Sequence, residues 1–452
     1  MVGYKIDRKE EKEMKKSTYH SLLVGFALFA IFFGAGNLIF PPSIGNVSGT
    51  EWVLALIGFC ITGIVFPLLA VVAILNAGGK FEDLTRPISP WFYKVFNLLL
   101  MVGIGMLVTI PRMSATTHEL GVHQLFPKVP SLLTIIVFFA ISFYFAMDKS
   151  NVIDKIGKIL TPLLVIILLF IVGKGILDPI GVPVKTEIQN AFSNAFISAY
   201  QTGDVVTGIF CAPIFIAAIA AFGYKGKQAR SMALTGTLIA GLGLLVVYGG
   251  LLFLGASGSG FFQPGIEDTA LVSSLIDISL GSFGSIALAV AIALACLTSA
   301  IGVIVVIADF LNDLTKKKLG YRLWVAIVCI VGIVIGSTGV GAIVTYTMPI
   351  FTALYPVAIV LVFLGTFRKF VPNPGSYQGA ILLTFIVSLF ETVNSLGLTI
   401  PFLTNMIAKL PLSANGFSWL IPAIFGFIFG SVLYKYVHKS KTSNPIHSVE
   451  AK

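Results

Sequence analysis

Long apolar runs without charge constrain this chain more than any other feature. No Asp, Glu, Lys or Arg lies between Ser17 and Thr50, or between Leu323 and Phe367. A helix needs about 20 apolar residues to cross the hydrocarbon core of a bilayer, and both runs are longer than that. Because the chain is also 56% hydrophobic, with a mean hydropathy of +0.96, the sequence predicts an all-α polytopic membrane protein and excludes a soluble fold.

The apolar runs predict about twelve transmembrane helices. The ninth and tenth share the run from Leu323 to Phe367, which we divide at the glycine-rich "GSTGVG" of residues 336–341 because clustered glycines mark a turn. The twelve predicted segments are 18–45, 52–78, 92–112, 131–147, 152–174, 190–223, 229–256, 283–314, 322–338, 340–366, 376–397 and 416–437.

The positive charges indicate how these segments are oriented. With both termini in the cytoplasm, 25 of the 30 Lys and Arg residues fall in inner loops and tails. The five predicted to lie outside are Arg112, Lys128, Lys174, Lys185 and Lys409. This excess predicts a multi-pass protein of the cell membrane with cytoplasmic termini. The net charge of +10 is thereby explained by topology, so we expect membrane lipid and no nucleic acid as a partner.

The first segment contains a break, "FFGAGNLIFPP", from Phe32 to Pro42. Glycine can end one half-helix, Asn37 is a favoured N-cap for a second, and Pro41 and Pro42 are tolerated near a helix start. Non-helical backbone survives at membrane depth only beside protein or a water-filled cavity. The N-terminus of the second half would suit a carboxylate. A Pro-kinked packing helix is the alternative.

The sixth segment repeats the pattern in "AFISAYQTGDVVTGIFCAPIF", where Gly203 and Asp204 correspond to Gly36 and Asn37. If the fold repeats after five helices, the two halves are inverted and their paired breaks predict a transporter binding site. A carboxylate at this depth normally faces a cavity with a partner. Asp204 could contact a substrate ammonium, cap its half-helix or pair structurally, or, less favoured, carry a coupling proton.

The eighth segment contains "LACLTSAIG", residues 294–302, in which Thr298 and Ser299 offer adjacent hydroxyls. Together with spare carbonyls of a broken helix they would form an oxygen cage for a bare cation. The alternative is that each hydroxyl bonds a carbonyl of its own helix. At the outer end of the third segment, His118 and Glu119 are predicted to be a solvated loop pair, with pH sensing as the alternative.

An enzyme is not expected from these residues. The chain contains neither an HExxH nor a GxSxG motif, and its four cysteines lie in apolar runs without CxxC spacing. We therefore predict no catalytic residues, no enzymatic cofactor and no disulfide framework.

The stretch from Gly25 to Pro42, "GFALFAIFFGAGNLIFPP", resembles the opening signature of the bacterial branched-chain amino acid:cation symporters. The sixth- and eighth-segment stretches quoted above resemble that family too, with departures at Gln201 and Gly203. The resemblance covers nearly the whole chain. It implies the leucine-transporter-like fold of the amino acid, polyamine and organocation superfamily, a five-plus-five inverted repeat with helices 1 and 6 broken and two added C-terminal helices.

The implied organisation is a cytoplasmic tail (1–17), a first repeat (18–177), a second repeat (190–366), helices 11 and 12 (376–437) and a second cytoplasmic tail (438–452). The implied function is import of leucine, isoleucine and valine by symport with a cation, Na⁺ before H⁺, through alternating access. A symporter for another small neutral amino acid or solute is one alternative, and an ion channel is another.

The resemblance also implies which residues form the sites. Backbone N–H groups of Gly34, Ala35 and Gly36 would bind the substrate carboxylate. The full implied substrate site is Gly34, Ala35, Gly36, Asn37, Tyr200, Thr202, Gly203 and Asp204. The implied Na⁺ ligands are the carbonyls of Ala30, Phe33 and Ala295 and the hydroxyls of Thr298 and Ser299.

Overall fold

A computed structural model describes residues 8–147, 161–263, 265–398 and 401–442, and these ranges fold into helices without a strand. Eight helical stretches within them are long and apolar enough to cross a membrane, and four shorter apolar helices accompany them. Each of the twelve predicted segments overlaps one of these helices. Residues 152–160 of the fifth segment lie outside the described residues, as do the outer parts of both predicted tails.

Up to Leu177, the described residues form ten α-helices. These are α1 (Arg8–Phe32), α2 (Ala35–Ser48), α3 (Trp52–Cys60), α4 (Phe66–Ala77), α5 (Phe81–Thr85), α6 (Pro90–Leu98), α7 (Ile110–Thr116), α8 (His123–Leu125), α9 (Ser131–Ala146) and α10 (Thr161–Leu177). Helices α3 and α4 are joined by a π-helical turn, Ile61–Val65, and α6 to α8 form one rod through π-helical stretches at Leu99–Thr109 and Thr117–Val122.

The remaining helices follow in the order α11 (Ala191–Ser198), α12 (Asp204–Ala221), α13 (Gly226–Ser257), α14 (Asp268–Leu314), α15 (Tyr321–Gly336), α16 (Val340–Thr366), α17 (Pro374–Ser395), α18 (Pro401–Ala408) and α19 (Leu420–Thr442). Helix α14 is kinked at Gly281, whose φ of 58° interrupts the helical backbone. The part after this kink matches the predicted segment 283–314.

The break in the first segment separates α1 from α2. Gly34 is the N-cap of α2, with an extended backbone (φ −108°, ψ −165°), and Asn37 is the third helical residue. The prediction that Asn37 is the N-cap is therefore wrong, because the second half-helix begins three residues earlier than an Asn37 cap would place it. Pro41 and Pro42 lie in the second turn of α2 rather than at its start.

The break in the sixth segment has a different form. A 3₁₀ turn, Ala199–Thr202, continues α11 and ends at Gly203, whose φ of 76° reverses the backbone before α12 begins at Asp204. Only glycine adopts this left-handed conformation without steric cost. Gly203 is the N-cap, so the interpretation of Asp204 as a half-helix cap is wrong.

The third segment is longer than predicted and runs from Pro90 to Leu125. Arg112 lies inside this helical stretch and is 1% exposed, so it is buried among helices. His118 and Glu119 are helical as well. His118 Nδ1 lies 3.1 Å from Thr134 Oγ1, and the Val340 N–H donates to Glu119 Oε1 at 2.8 Å. The predicted solvated loop pair is therefore a pair of helix contacts, with His118 buried and Glu119 half-buried, in which Glu119 binds the first turn of α16.

The last two membrane helices, α17 and α19, pack through glycines. A Cβ on Gly379 would lie 2.0 Å from the Gly426 carbonyl oxygen, and one on Gly375 would lie 2.2 Å from that of Gly430. Within each helix the two glycines are four residues apart, Gly375 and Gly379 on α17 and Gly426 and Gly430 on α19. This is the GxxxG spacing that lets the backbones of membrane helices approach closely. The closeness of α17 and α19 therefore depends on these four residues.

We expect Gly379→Leu to separate α17 from α19, because the new side chain would overlap the Gly426 backbone. The variant should melt several degrees below wild type in a thermal-shift measurement on detergent-purified protein. Gly173→Leu is the matched control, since a Cβ on Gly173 meets nothing within 4 Å. Equal melting temperatures for the two variants would contradict the close packing.

Candidate functional site

The two helix breaks are joined by a buried hydrogen-bond network. Asn37 Nδ2 donates to Asp204 Oδ2 at 2.6 Å and also contacts the hydroxyl of Tyr248 on α13. That hydroxyl donates to the same carboxylate oxygen at 3.1 Å. Asn37 Oδ1 in turn accepts the Gly34 N–H at 3.2 Å. One amide side chain therefore ties the start of α2 to the start of α12.

Asp204 is 1% exposed and lies in the first turn of α12. A buried carboxylate is stable only where hydrogen bonds replace water, and the positive end of a helix dipole favours it further. The donors from α2 and α13 supply such bonds. The next N–H of the turn, that of Val205, donates at 3.0 Å to the hydroxyl of Tyr355 on α16. Four membrane segments therefore meet at this break.

Arg112 lies beside both breaks. Its Nη2 donates to the Gln201 carbonyl at 2.6 Å, and its guanidinium carbon lies 5.5 Å from the centre of the Phe40 ring. The same nitrogen is 3.1 Å from the position that a Cβ on Gly36 would occupy. Nε and Nη1 are buried and have no hydrogen-bond partner within the described residues. A cationic side chain with two unused nitrogens therefore lies against the first turn of α2.

Sequence reasoning missed Arg112 because it fell at the end of the predicted third segment. A signal was present: it interrupts the apolar stretch "MLVTIPRMSA", residues 106–115, where no other charge occurs. An arginine at membrane depth is costly and normally marks a functional site. Tyr248 and Tyr355 were missed as well, since a single hydroxyl in an apolar helix gives no distinct pattern.

The predicted substrate residues of the first break differ in whether their N–H groups are free to bind a ligand. Ala35 and Gly36 occupy the first turn of α2, where N–H groups have no acceptor within the helix. The Gly34 N–H is already engaged, by Phe32 O at 3.0 Å and by Asn37.

On the other break, Thr202 lies next to Gly36, because its Cα is 3.2 Å from the position of a Gly36 Cβ. Its Oγ1 lies 3.3 Å from the Asp204 N–H, which donates to it. Tyr200 instead stacks on Tyr355, with ring centres 4.6 Å apart.

All five predicted cation ligands lie together where α14 crosses the end of α1. Ser299 Oγ is 3.1 Å from the Ala30 carbonyl oxygen and 3.3 Å from that of Phe33. Thr298 Oγ1 is 3.2 Å from the Ala30 oxygen and 3.0 Å from that of Ala295.

The Ile31 carbonyl, which the sequence did not single out, is also 2.9 Å from Ser299 Oγ. Both hydroxyls therefore reach across to carbonyls that the break of α1 leaves without helical partners, while Thr298 also bonds the Ala295 carbonyl of its own helix, as the alternative interpretation expected. Carbonyls and hydroxyls of this kind are the ligands with which unwound membrane helices coordinate Na⁺.

A cavity of about 530 Å³ lies beside the site, between α2, α11 and α16. Its lining includes Phe40, Gln201 and Met348, and Gln201 Nε2 lies 2.6 Å from the Met348 sulfur. Phe40 and Gln201 are also the residues that contact Arg112. The cavity and Arg112 therefore share two neighbouring residues.

Comparison with known proteins identifies the family. A family model described as "Branched-chain amino acid transport protein" matches residues 17–437. The branched-chain amino acid permease BraB of Bacillus subtilis (strain 168) is 33% identical over 436 residues, covering 94% of this chain and 98% of the permease. The permease BrnQ of the same organism is 32% identical, covering 95% and 99%.

Solved structures identify the fold. A Na⁺-coupled sialic acid symporter in a substrate-bound, outward-open state matches with a TM-score of 0.56 and 14% identity, covering 91% of this chain and 89% of the symporter. The inward-facing conformation of Mhp1 matches with a TM-score of 0.56 and 15% identity, covering 92% and 91%.

The predicted leucine-transporter-like fold, with helices 1 and 6 broken, is therefore confirmed. The chain is a transport protein of the membrane and not an enzyme. On the match over residues 17–437 and the identity to both permeases, the chain belongs to the branched-chain amino acid transport protein family.

Proposed function

We propose that the chain is a secondary active transporter that imports leucine, isoleucine and valine together with a cation, Na⁺ in preference to H⁺. The observation that carries this proposal is the α1–α2 break, because oxygen atoms gather at its carbonyl end and a carboxylate lies beside its N–H end. Freed carbonyls of α1 meet the hydroxyls of Thr298 and Ser299, and the first turn of α2 lies beside Asp204. The names of the related permeases support the substrate class.

In the proposed complex, the amino acid bridges the two breaks. The N–H groups of Ala35 and Gly36, next to Gly34 at the start of α2, receive the carboxylate, while Asp204 receives the ammonium group. Asn37 keeps the two ends in register through its bond to Asp204. Thr202 and Gly203 border the same space, and Tyr200 supplies an aromatic wall on the α16 side.

The proposed cation site is the cage formed by Ala30, Phe33, Ala295, Thr298 and Ser299. One positive charge moving down a potential of 100 mV releases about 2.3 kcal/mol. At about 1.36 kcal/mol per decade, this sustains a concentration ratio of roughly fiftyfold. One coupled ion is therefore enough for uphill uptake.

Alternating access would follow from inverted repeats at residues 18–177 and 190–366, with helices 1 and 6 moving against a scaffold and helices 11 and 12, within 376–437, attached outside. Both termini are assigned to the cytoplasm. The burial of Arg112 strengthens the charge argument for this orientation, because it removes one of the five positive charges assigned to the outside.

The direct test is uptake of labelled leucine into proteoliposomes under an inward sodium gradient, and separately under a proton gradient in sodium-free buffer. We expect accumulation with sodium and competition by unlabelled isoleucine and valine, but not by alanine or serine. Accumulation only with protons would overturn the sodium assignment and make Asp204 the coupling group. Competition by small neutral amino acids alone would overturn the substrate class. A leucine flux that does not saturate with leucine concentration would indicate a channel.

Gly34→Val tests the carboxylate assignment. The Cβ would lie 2.9 Å from Met113 Cε and 3.4 Å from Ser299 Oγ, so a branched side chain would enter the space between the two sites. We expect leucine uptake to fall to background while insertion and detergent stability are retained. Gly103→Val is the control, since a Cβ there meets only Ile350 Cγ2 at 3.9 Å. Normal leucine uptake by Gly34→Val would contradict the assignment of the carboxylate to the start of α2.

Thr298→Ala combined with Ser299→Ala tests the cation cage. Two oxygen ligands disappear, so the sodium concentration for half-maximal leucine uptake should rise at least about tenfold, which corresponds to about 1.4 kcal/mol. The matched control is Thr384→Ala with Ser388→Ala on α17, where the Thr384 hydroxyl bonds the Ala380 carbonyl of its own helix. An unaltered sodium response in the first variant would contradict the cage.

A further inference from the structure

Arg112 has more hydrogen-bonding capacity than the protein uses. A guanidinium presents five N–H donors in a planar fork. Here one nitrogen, Nη2, bonds the Gln201 carbonyl at 2.6 Å, while Nε and Nη1 have no partner among the described residues. The side chain is 1% exposed, so water does not satisfy these donors at the protein surface. Buried arginines are normally paired, because an unpaired buried charge is strongly destabilising.

The position of the guanidinium indicates what would complete its bonding. It lies against the first turn of α2, with Nη2 3.1 Å from the position of a Gly36 Cβ, and against the 3₁₀ turn that ends at Gly203. The ring of Phe40 covers one side at 5.5 Å. The cavity of about 530 Å³ reaches the same two neighbours, Phe40 and Gln201. An anion that binds between the first turn of α2 and the 3₁₀ turn would therefore meet the N–H groups of α2 and the guanidinium of Arg112 together.

We propose that Arg112 binds the carboxylate of the transported amino acid and thereby restricts the transporter to substrates that carry one. This inference rests on the proposed function and deepens it. One carboxylate oxygen pairs with the N–H groups of Ala35 and Gly36, and the other with the unused nitrogens of Arg112. Asp204, across the break, takes the ammonium group, so a zwitterion matches one fixed positive charge and one fixed negative charge.

The charge balance supports a zwitterion over an amine or an acid alone. Arg112 would repel a substrate whose only charge is positive, and Asp204 would repel one whose only charge is negative. Truncating one partner of a buried, hydrogen-bonded charge pair costs at least about thirtyfold in affinity. The arginine fork differs from lysine in that it binds both carboxylate geometry and charge, so the two residues are not equivalent here.

The test compares equilibrium binding of labelled leucine with displacement by leucinamide, which lacks the negative carboxylate, using purified protein in detergent. Wild type should prefer leucine strongly. In Arg112→Gln, leucine affinity should fall at least about thirtyfold while leucinamide affinity stays constant or rises, so the preference collapses. Lys174→Gln is the control, because it removes a positive charge from a membrane helix at an exposed pair with Asp178. Its preference should equal that of wild type.

A structural role for Arg112 predicts a different pattern. If it only braces the Gln201 carbonyl, Arg112→Gln weakens leucine and leucinamide by the same factor and the preference survives, which overturns the inference. Where Arg112→Gln does not yield folded protein, the ratio of leucine affinity to leucinamide affinity is measured in Arg112→Lys instead. A ratio between that of wild type and one supports the carboxylate role, and a ratio equal to that of wild type contradicts it. Wild-type protein that binds no branched-chain amino acid refutes the proposed function itself, whereas wild-type binding with an unaltered ratio in the variants refutes this inference alone.

Discussion

The break between α1 and α2 imposes the constraint on which the rest of the site depends. Backbone polar groups left unpaired in hydrocarbon cost several kcal/mol each, so a break at membrane depth must be given partners from neighbouring helices. The carbonyl end of α1 receives them from Ser299 and Thr298. At the other end of the break, the Gly34 N–H donates to the side-chain oxygen of Asn37. The same demand that stabilises the break therefore brings α14 and α12 against it.

Backbone-distance packing makes these contacts reachable. A Cβ on Gly45 would lie 1.9 Å from the Leu252 carbonyl oxygen, and one on Gly255 would lie 1.9 Å from that of Pro42. Helix association in a membrane gains nothing from the hydrophobic effect, so close van der Waals contact between small residues has to supply it. Because α2 and α13 approach so closely, the hydroxyl of Tyr248 on α13 reaches Asn37 and the carboxylate behind it.

The sequence predicted the features that repeat along the chain and missed those that occur once. Twelve apolar segments and two breaks leave extended patterns of composition and glycine spacing, and the structure contains helices at each of those segments. The cap of the second half-helix lies at Gly34, three residues before the predicted Asn37, because glycine can also begin a helix. Arg112 was placed at the outer end of the third segment, but its helix, extended by π-helical turns, continues to Leu125. The role of such a single polar residue can be inferred only from the residues that contact it in the folded structure.

A single peptide unit connects the proposed cation and substrate sites. The Phe33 carbonyl lies 3.3 Å from Ser299 Oγ in the cage, and the N–H of the same peptide group, that of Gly34, donates to Asn37. The peptide plane is rigid, so its carbonyl and its N–H cannot turn independently.

An ion that draws the Phe33 oxygen into the cage would therefore fix the direction of the Gly34 N–H, and with it Asn37 and the Asp204 carboxylate that Asn37 holds. In the proposed mechanism, cation binding thereby organises the start of α2 for the amino acid. Because coupling between two ligands is reciprocal, the amino acid would tighten the cage for the cation by the same factor.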